Sequence, residues 1–501
     1  MTIYSPKLIE EYVLETISRV RVIKEQCENL LSKDFASQAP KNLAQTHINI
    51  CHYLETAIKS IYKDIDWKNI KKIESSFILL QTTDSIIREF GSHIRYIDGA
   101  QTQKVPWGLI SPLEKYLKRF LSDVEILFRP QWKYNYAIIP TNLYEYYSKT
   151  LSSYETHVKN KNLSEILKPL KKYFYIVSFP SIERENILLH CLLGHEIGHL
   201  EAKTYISSRN KEFLKLIQDK IADVVNQRIK KPEFKNVPEE IMPQIKQEIT
   251  QAYLKETSEI WERGLEEILS DIVGSFLFGP AILFSNLEIA LQDLNGLDIT
   301  PGKDNNYYPP WRMRLRNIYQ VQRDLKLFPL QKKAFQSKPI YNNVSKGFKL
   351  VENIIQEKSD EQMLKSNDLL KIAYEEIEND LVNAKRLILI KLSELFLLLN
   401  PDSFYKNLSH LIEKIDFGVP PNPYENSISK RKPAAIVEII NAAWFYKLSW
   451  KYRLFDKKNQ FNENIFSKRE RMNRLALKAI EYADMEKDYS DWSSEKNRKP
   501  S

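Results

Sequence analysis

Apolar residues recur at mixed three- and four-residue spacing through much of this chain, which is the period of an α-helix. The pattern is clearest over residues 42–65 and 69–97, and it continues close to residue 128. It returns over residues 348–482. We therefore predict helices through residues 5–127 and again through residues 348–482.

Two stretches of different residue composition predict strands. Residues 129–140 (RPQWKYNYAIIP) are aromatic and β-branched, and prolines bound them. Residues 171–180 (KKYFYIVSFP) are of the same kind and end at Pro180. A helix is expected between them, around residues 142–159, and another after them with Ser181 as its N-cap. The chain should therefore be mainly α-helical with a small β-sheet.

These patterns predict a division of the chain into regions. Residues 1–128 form an N-terminal helical region. Residues 129–345 form a central region with both strands, which carries a helical insert at about 201–260. Residues 346–483 form a C-terminal helical region. The polar residues 484–501 are predicted to be a disordered tail.

Composition agrees with the helical prediction and limits the partners. Only 12 of the 501 residues are glycine, which helix interiors tolerate poorly. The 74 basic and 65 acidic side chains give a net charge of +9, with no long block of like charges. Such a mildly basic surface predicts no clear nucleic-acid site. A basic helical protein associated with nucleic acid stays open as an alternative, because of this charge and the stretch RPQWKYNY.

Cysteine usage and hydropathy bear on the cellular setting. Cys27, Cys51 and Cys191 are too widely spaced for a disulfide framework or a cysteine metal site, and they fit a reducing compartment. The N-terminal stretch has no uninterrupted apolar core, so no signal peptide is predicted. The most apolar run, DIVGSFLFGPAILFSNL, opens with Asp271, is broken by Gly279 and is too short to span a membrane. We expect a cytoplasmic protein without a membrane span.

The stretch HEIGH carries the most specific chemistry. Residues at i and i+4 of a helix lie on one face, so His195 and His199 project together, as two imidazoles bound to one tetrahedral zinc ion must. Glu196 is one residue on and can act as a general base. Gly194 and Gly198 keep the helix thin, which lets another backbone or a substrate approach closely. A solvated helix can carry these residues by chance, but the surrounding leucines and isoleucines predict a buried helix whose polar groups need partners.

A third ligand is available in the stretch GLEEILSDIVG. Glu267 and Asp271 are again i and i+4, and Glu267 can complete a His₂Glu site. Asp271 can accept the outer N–H of a ligating histidine and fix its tautomer. Glu266 is expected to point elsewhere. The alternative is an amphipathic helix with an acidic face, but Asp271 lies inside an apolar run, which a solvated face does not explain.

The two stretches together resemble the motifs of the gluzincin metallopeptidases. HEIGH followed by EEILSD is similar to the His-Glu-x-x-His and Asn-Glu-x-x-Ser-Asp segments of thermolysin, with Glu266 in place of Asn. The resemblance implies a Zn²⁺ ion with Glu196 as the base and Asp271 orienting a histidine. The zinc ligands that it implies are His195, His199 and Glu267. The insert between the two motifs is far longer than in thermolysin and is expected to be a helical hairpin that returns Glu267 to the site.

A third stretch, YYPPWRMRLRNI, resembles the His-Pro-Pro-Leu-x-x-Arg-Ile segment of the heat-shock and prenyl-protein endopeptidase branch. Tyr308 stands in place of the usual His, and Arg314 matches the Arg. Both are candidate catalytic residues that could steady a tetrahedral oxyanion. The prenyl-protein branch is membrane-embedded, whereas this chain shows no spanning segment. Substrate and setting are therefore expected to differ from those of that branch.

The sequence thus predicts a mainly α-helical, zincin-like metallopeptidase, with residues 129–345 as its core and a peptide or protein as substrate. In gluzincins an edge strand beside the zinc helix pairs with an extended substrate. Residues 173–180 are predicted either for that role or as a plain core strand. A regulatory or binding protein that retains a zinc site without peptidase activity is the main alternative. Such a site would be closed by a fourth protein ligand, for which the sequence offers no strong candidate.

Overall fold

The computed structural model shows a mainly α-helical protein with one small three-stranded β-sheet, which confirms the predicted fold class. The chain forms two compact units, residues 1–185 and residues 186–501. None of the helices that the structure describes combines the length and hydropathy needed to span a bilayer. The residues described are 5–121, 123–158, 162–171, 173–292, 307–328, 338–356, 362, 364–365, 367–395, 400–422, 433–449 and 464–496.

The first unit combines long helices with the sheet. Its three longest helices pack against one another around a core rich in isoleucine, leucine and tyrosine. In chain order its elements are α1 (Pro6–Leu31), α2 (Ala39–Lys63), α3 (Ile70–Gly99), α4 (Trp107–Phe120), β1 (Val124–Gln131), β2 (Ala137–Thr141), α5 (Leu143–Ser152), α6 (Leu163–Ile166) and β3 (Tyr173–Pro180).

The sheet has the strand order β1-β3-β2, so β3 is its central strand. Strand β1 pairs with β3 in parallel, from Val124 opposite Tyr173, and β2 pairs with β3 antiparallel, from Ala137 opposite Ser178. The possibility that residues 173–180 are an edge strand for a peptide substrate is therefore wrong, because both edges of β3 are already paired. The plain core strand is confirmed.

The stretch predicted as one strand over residues 129–140 is two strands, and the first of them begins earlier, at Val124. The helical pattern predicts residues 124–128 as the end of a helix. These five residues are all buried, Glu125 included, and a short buried run without alternation does not distinguish a buried helix from a buried strand. Asp123, just before β1, has φ 55°, a left-handed conformation that a short polar side chain tolerates and that ends the helical path.

The second unit is helical and is built on a long antiparallel hairpin. Helix α7 begins at Leu193, later than the predicted N-cap at Ser181, because residues 181–183 and 190–192 form separate 3₁₀ turns. The elements of the unit are α7 (Leu193–Arg228), α8 (Met242–Phe278), α9 (Pro280–Ala290), α10 (Trp311–Asp324), α11 (Lys338–Gln356), α12 (Asp368–Leu395), α13 (Pro401–Asp416), α14 (Ile436–Ser449) and α15 (Asn464–Lys496).

Helix α8 ends at a sharp, buried break before α9. Gly279 there has φ 59° and ψ −143°, which a residue with a side chain adopts only under strain. The Asn441 side chain on α14 satisfies the backbone on both sides of the break. Its Oδ1 accepts from the N–H of Ala281 at 2.8 Å, and its Nδ2 donates to the carbonyl oxygen of Phe278 at 2.7 Å. The apolar run that the sequence shows here is therefore two buried helices.

Helix α12 binds both helices of the α7–α8 hairpin through one buried carboxylate. Asp380 is 3% exposed and accepts from Arg209 Nε on α7 at 2.7 Å. It also accepts from Trp261 Nε1 on α8 at 3.1 Å. The indole of Trp261 stacks on Phe213, with ring centroids 4.1 Å apart. These contacts hold α7 and α8 in one register beyond the point where their functional residues lie.

The C-terminal part of the chain differs from its prediction. Helix α15 runs to Lys496, through most of the stretch that the sequence analysis predicted to be a disordered tail. Tyr489 and Trp492 stand at helical spacing within this polar stretch, and their ring centroids are 5.9 Å apart. Residues 497–501 lie outside the described residues. The division of the sequence into four regions otherwise stays a prediction.

Candidate metal centre

The two histidines of HEIGH lie in the first turns of α7 and face the same side. His195 is buried, His199 is half-buried, and their ring centroids are 4.7 Å apart. One potential ligand atom from each of His195, Glu196 and His199 lies within 4.8 Å of the others. These three side chains therefore form a group that could hold a metal ion.

Helices α7 and α8 approach each other closely at two glycines. A Cβ atom built on Gly198 would lie 2.5 Å from the Cα atom of Ser270, and one on Gly194 would lie 2.6 Å from the ring of Phe278. The expectation that these glycines admit another backbone is thus confirmed for Gly198, and the Cα atom of Gly274 would lie 3.3 Å from a Cβ on Gly194. This approach brings the carboxylates of α8 within hydrogen-bonding distance of the histidines of α7.

We expect Gly198→Ala to destabilise the protein by about 1–3 kcal/mol, because the added methyl meets backbone that has no room to give. Gly91→Ala is the matched control, since a Cβ built on that helical glycine of α3 meets nothing within 4 Å. The control should stabilise the protein by about 0.5–1 kcal/mol, because alanine is the better helix former. Urea unfolding of both variants beside the wild type measures this. Effects of the same sign would contradict the packing argument.

Each histidine is held at its Nδ1 atom by a carboxylate of α8. His195 Nδ1 lies 2.8 Å from Asp271 Oδ1, and His199 Nδ1 lies 2.9 Å from Glu266 Oε1. The second contact corrects the expectation that Glu266 points elsewhere. In an antiparallel hairpin one turn forward on α7 corresponds to about one turn back on α8, and this places Glu266 beside the second histidine. With Nδ1 engaged, the Nε2 atom of each ring is the one left to ligate a metal.

Glu267 lies on the Nε2 side of His195. Its Oε2 atom is 3.4 Å from His195 Nε2. Two ligand atoms on one tetrahedral zinc ion, each about 2.0–2.2 Å from the metal, lie roughly 3.3–3.6 Å apart. This separation therefore suits two ligands of the same ion. Imidazole nitrogens and carboxylate oxygens are donors that a metal ion such as zinc takes in proteins. The structure offers such a carboxylate from Glu196, within 4.8 Å of both histidines, and from Glu267 beside His195, so the donor types present fit the ion that the sequence resemblance implies.

Two arginines neutralise the carboxylates around the histidines. Arg314 on α10 donates to both oxygens of Asp271 at 2.7 and 2.9 Å, and its Nη1 is 3.2 Å from Glu267 Oε2. Arg263, one turn before Glu267 on α8, lies 2.9 Å from Glu267 Oε1 and 3.1 Å from Glu266 Oε2. Asp271 is fully buried and Glu267 is 2% exposed, and such groups persist in a folded chain only when they are paired.

These charges set the ionisation of the buried groups. Burial raises the pKa of Glu267, but Arg314, His195 and Arg263 outweigh it and hold that pKa well below its usual range. Burial also raises the pKa of Asp271, which Arg314 and His195 bring below its usual value. Burial lowers the pKa of His195, yet Asp271 and Glu267 together raise it to about 10. These carboxylates therefore favour the protonated form of His195 in the metal-free protein.

Tyr308 and Arg314, the two candidates from YYPPWRMRLRNI, both lie at this centre but in different environments. Tyr308 is 41% exposed, and the guanidinium of Arg263 covers its ring at 4.1 Å and donates to its hydroxyl. Arg314 is 5% exposed, and its guanidinium also lies 4.1 Å from the ring centroid of Trp311. Tyr308 therefore faces solvent, whereas Arg314 supports the buried side.

Arg263, the supporting contact of Glu266 and the buried position of Tyr374 on α12 are not among the features predicted from the sequence. Arg263 had a detectable signal, since it stands four residues before Glu267, the spacing of a helical ion pair. Glu266 had none, because its partner depends on the offset between two helices. Tyr374 comes from a distant part of the chain, and its position depends on how α12 packs on α8.

Comparison of this chain with models of protein families, with curated proteins and with solved structures gives no match.

Proposed function

We propose that this protein is a zinc-dependent peptidase that hydrolyses peptide bonds with Glu196 as the general base. The observation that most supports this is the pair of imidazoles, each engaged at Nδ1 by a carboxylate, beside Glu196 and Glu267. A set of three protein ligands leaves a position for substrate, as catalytic zinc sites do. The resemblance of HEIGH and EEILSD to gluzincin motifs supports the same function.

The residues of the centre have different roles in this proposal. When bound, zinc supplies a Lewis acid that polarises the peptide carbonyl and lowers the pKa of water. Glu196 accepts the proton of the attacking water and passes it to the leaving amine. Asp271 and Glu266 fix the tautomers of the two histidines through their Nδ1 atoms. The residues that hold the ion in this proposal are His195, His199 and Glu267.

The geometry favours Tyr308 over Arg314 as the group that meets the developing oxyanion. Arg314 is buried, and its donors are committed to Asp271 and Glu267. Tyr308 is exposed beside the centre, and Arg263 against its hydroxyl strengthens it as a donor. A preorganised donor at this position is what stabilisation of a tetrahedral oxyanion requires.

The substrate in this proposal is a peptide or protein, and the setting is a reducing cytoplasm. The three thiols support the setting, because Cys27, Cys51 and Cys191 are all buried and free.

A binding protein that keeps the centre without hydrolysis is the second candidate. Its support is that both oxygens of Glu267 have an arginine partner, so this buried carboxylate is paired without an ion. Both candidate functions include a bound metal ion, but only the peptidase hydrolyses peptides. Measurement of peptide turnover in wild type and in the Glu196 variant distinguishes them.

We expect one zinc ion per chain in protein purified without added metal. Elemental analysis of wild type should show it, and Glu267→Ala should lose most of it, because a ligand carboxylate is removed. Glu248→Ala is the matched control, since Glu248 is an exposed acid on the same helix and accepts a hydrogen bond from Gln244 one turn away. Wild type without zinc, or a Glu267→Ala variant with wild-type zinc content, would overturn the metal assignment.

A further inference from the structure

The hydroxyl of Tyr374 has no hydrogen-bond partner among the residues that the structure describes. The side chain is 4% exposed and projects from α12. A buried hydroxyl without a partner destabilises a folded chain, whereas phenylalanine would fill the same space without this cost. Sequences break such local rules mainly at functional sites.

The hydroxyl lies against the face of α8 that carries the candidate metal centre. A Cβ atom built on Gly264 would lie 3.5 Å from the Tyr374 oxygen and 2.7 Å from Cδ1 of Ile377. Gly264, Glu267 and Asp271 stand at i, i+3 and i+7, which share one side of a helix. The glycine makes room for α12, and the phenol is thereby placed one turn from Glu267.

The charges that act on the phenol belong to the same centre. Burial raises the pKa of Tyr374, Arg314 lowers it and Glu267 raises it, and the net shift is upward. The hydroxyl therefore keeps its proton and can donate it in a hydrogen bond.

A carboxylate that binds a cation benefits from a neutral donor more than from a cationic one. Glu267 Oε2 is 3.2 Å from the guanidinium of Arg314 and 3.4 Å from Nε2 of His195. A metal ion bound by this oxygen and this nitrogen is repelled by the positive charge of Arg314. A phenol donates a hydrogen bond to a carboxylate and adds no positive charge.

We propose that Tyr374 is a positioning residue for metal binding, as the neutral donor that supports Glu267 when an ion occupies the centre. This inference rests on the proposed function, because it needs an ion held by Glu267. The proposed role accounts for a buried hydroxyl at position 374, where packing alone would be served by phenylalanine.

The test is Tyr374→Phe, measured with Zn²⁺ alone. Zinc affinity from chelator competition should fall by about 10- to 100-fold, the usual effect of losing a group that supports a ligand. The melting temperature of the metal-free variant should equal or exceed that of wild type, because the removed hydroxyl has no partner. Tyr405→Phe is the matched control. Tyr405 is equally buried, and its hydroxyl donates to the carbonyl oxygen of Leu327, so this variant should melt earlier and bind zinc like wild type.

The other outcomes overturn either the role of Tyr374 alone or the proposed function together with it. If wild type binds zinc and Tyr374→Phe binds it equally well, the role of Tyr374 is overturned and the proposed function stands. If the metal-free Tyr374→Phe variant melts well below wild type or fails to fold, the hydroxyl has a structural partner and the role is also overturned. If wild type binds no zinc, both the proposed function and this inference fall.

Discussion

Glu196→Gln should abolish peptide hydrolysis while zinc content and melting temperature stay at wild-type values. The amide has the size of the carboxylate but cannot accept the proton of the attacking water. General base catalysis contributes about 10²- to 10⁴-fold in rate, so turnover of a fluorogenic peptide library should fall by that factor. Glu196 lies in the same group of ligand atoms as both histidines, where a proton acceptor has to be.

Glu212→Gln is the matched control for this variant. Glu212 is on the same helix, its side chain is 66% exposed, and it pairs with Arg209 at the surface. The control should keep wild-type turnover. Wild-type turnover in Glu196→Gln would exclude Glu196 as the base. No turnover by wild type on any peptide, with one zinc bound, would favour the binding protein over the peptidase.

Asp271→Ala should lower both stability and zinc affinity by large amounts. Asp271 is fully buried, and it is the bidentate partner of Arg314 and the Nδ1 partner of His195. Its removal leaves a buried guanidinium with its charge poorly compensated, and breaking a buried pair in this way costs about 3–5 kcal/mol. The freed imidazole should weaken zinc binding by about 10- to 100-fold. Chemical unfolding and chelator titration measure the two effects.

Asp380→Ala separates the effect on the metal from the effect on stability. Asp380 is also a buried acid that holds an arginine, but it lies along the hairpin, away from the histidines. The Asp380→Ala variant should be less stable than wild type. Its release of zinc should equal that of wild type. Asp271→Asn retains one carbonyl oxygen as acceptor and serves if the alanine variant does not fold. Zinc release from Asp271→Asn and Asp271→Ala at the wild-type rate and affinity would show that Asp271 does not orient a ligand.

Parts of the architecture were open to prediction because their causes are local. The helical period identified the long N-terminal helices and the α7–α8 hairpin but not α10 or the first half of α11, and strand β3 was placed within two residues. The first five residues of β1 were assigned to a helix because this buried run carries no alternation. The central position of β3 was left undecided, since the neighbours of a strand depend on residues far along the chain.

The sequence by itself determined that this chain is mainly helical and that His195 and His199 share one helix face. It did so because a period of 3.6 residues is a property of each segment alone. Only the tertiary structure decided that Glu266 holds His199, that Arg314 lies between Asp271 and Glu267, and that Tyr374 packs against Gly264. Those contacts depend on the offset of two antiparallel helices and on the packing of α10 and α12 against α8. A buried charge or hydroxyl acquires its partner only when distant segments meet, and no local pattern encodes where that happens.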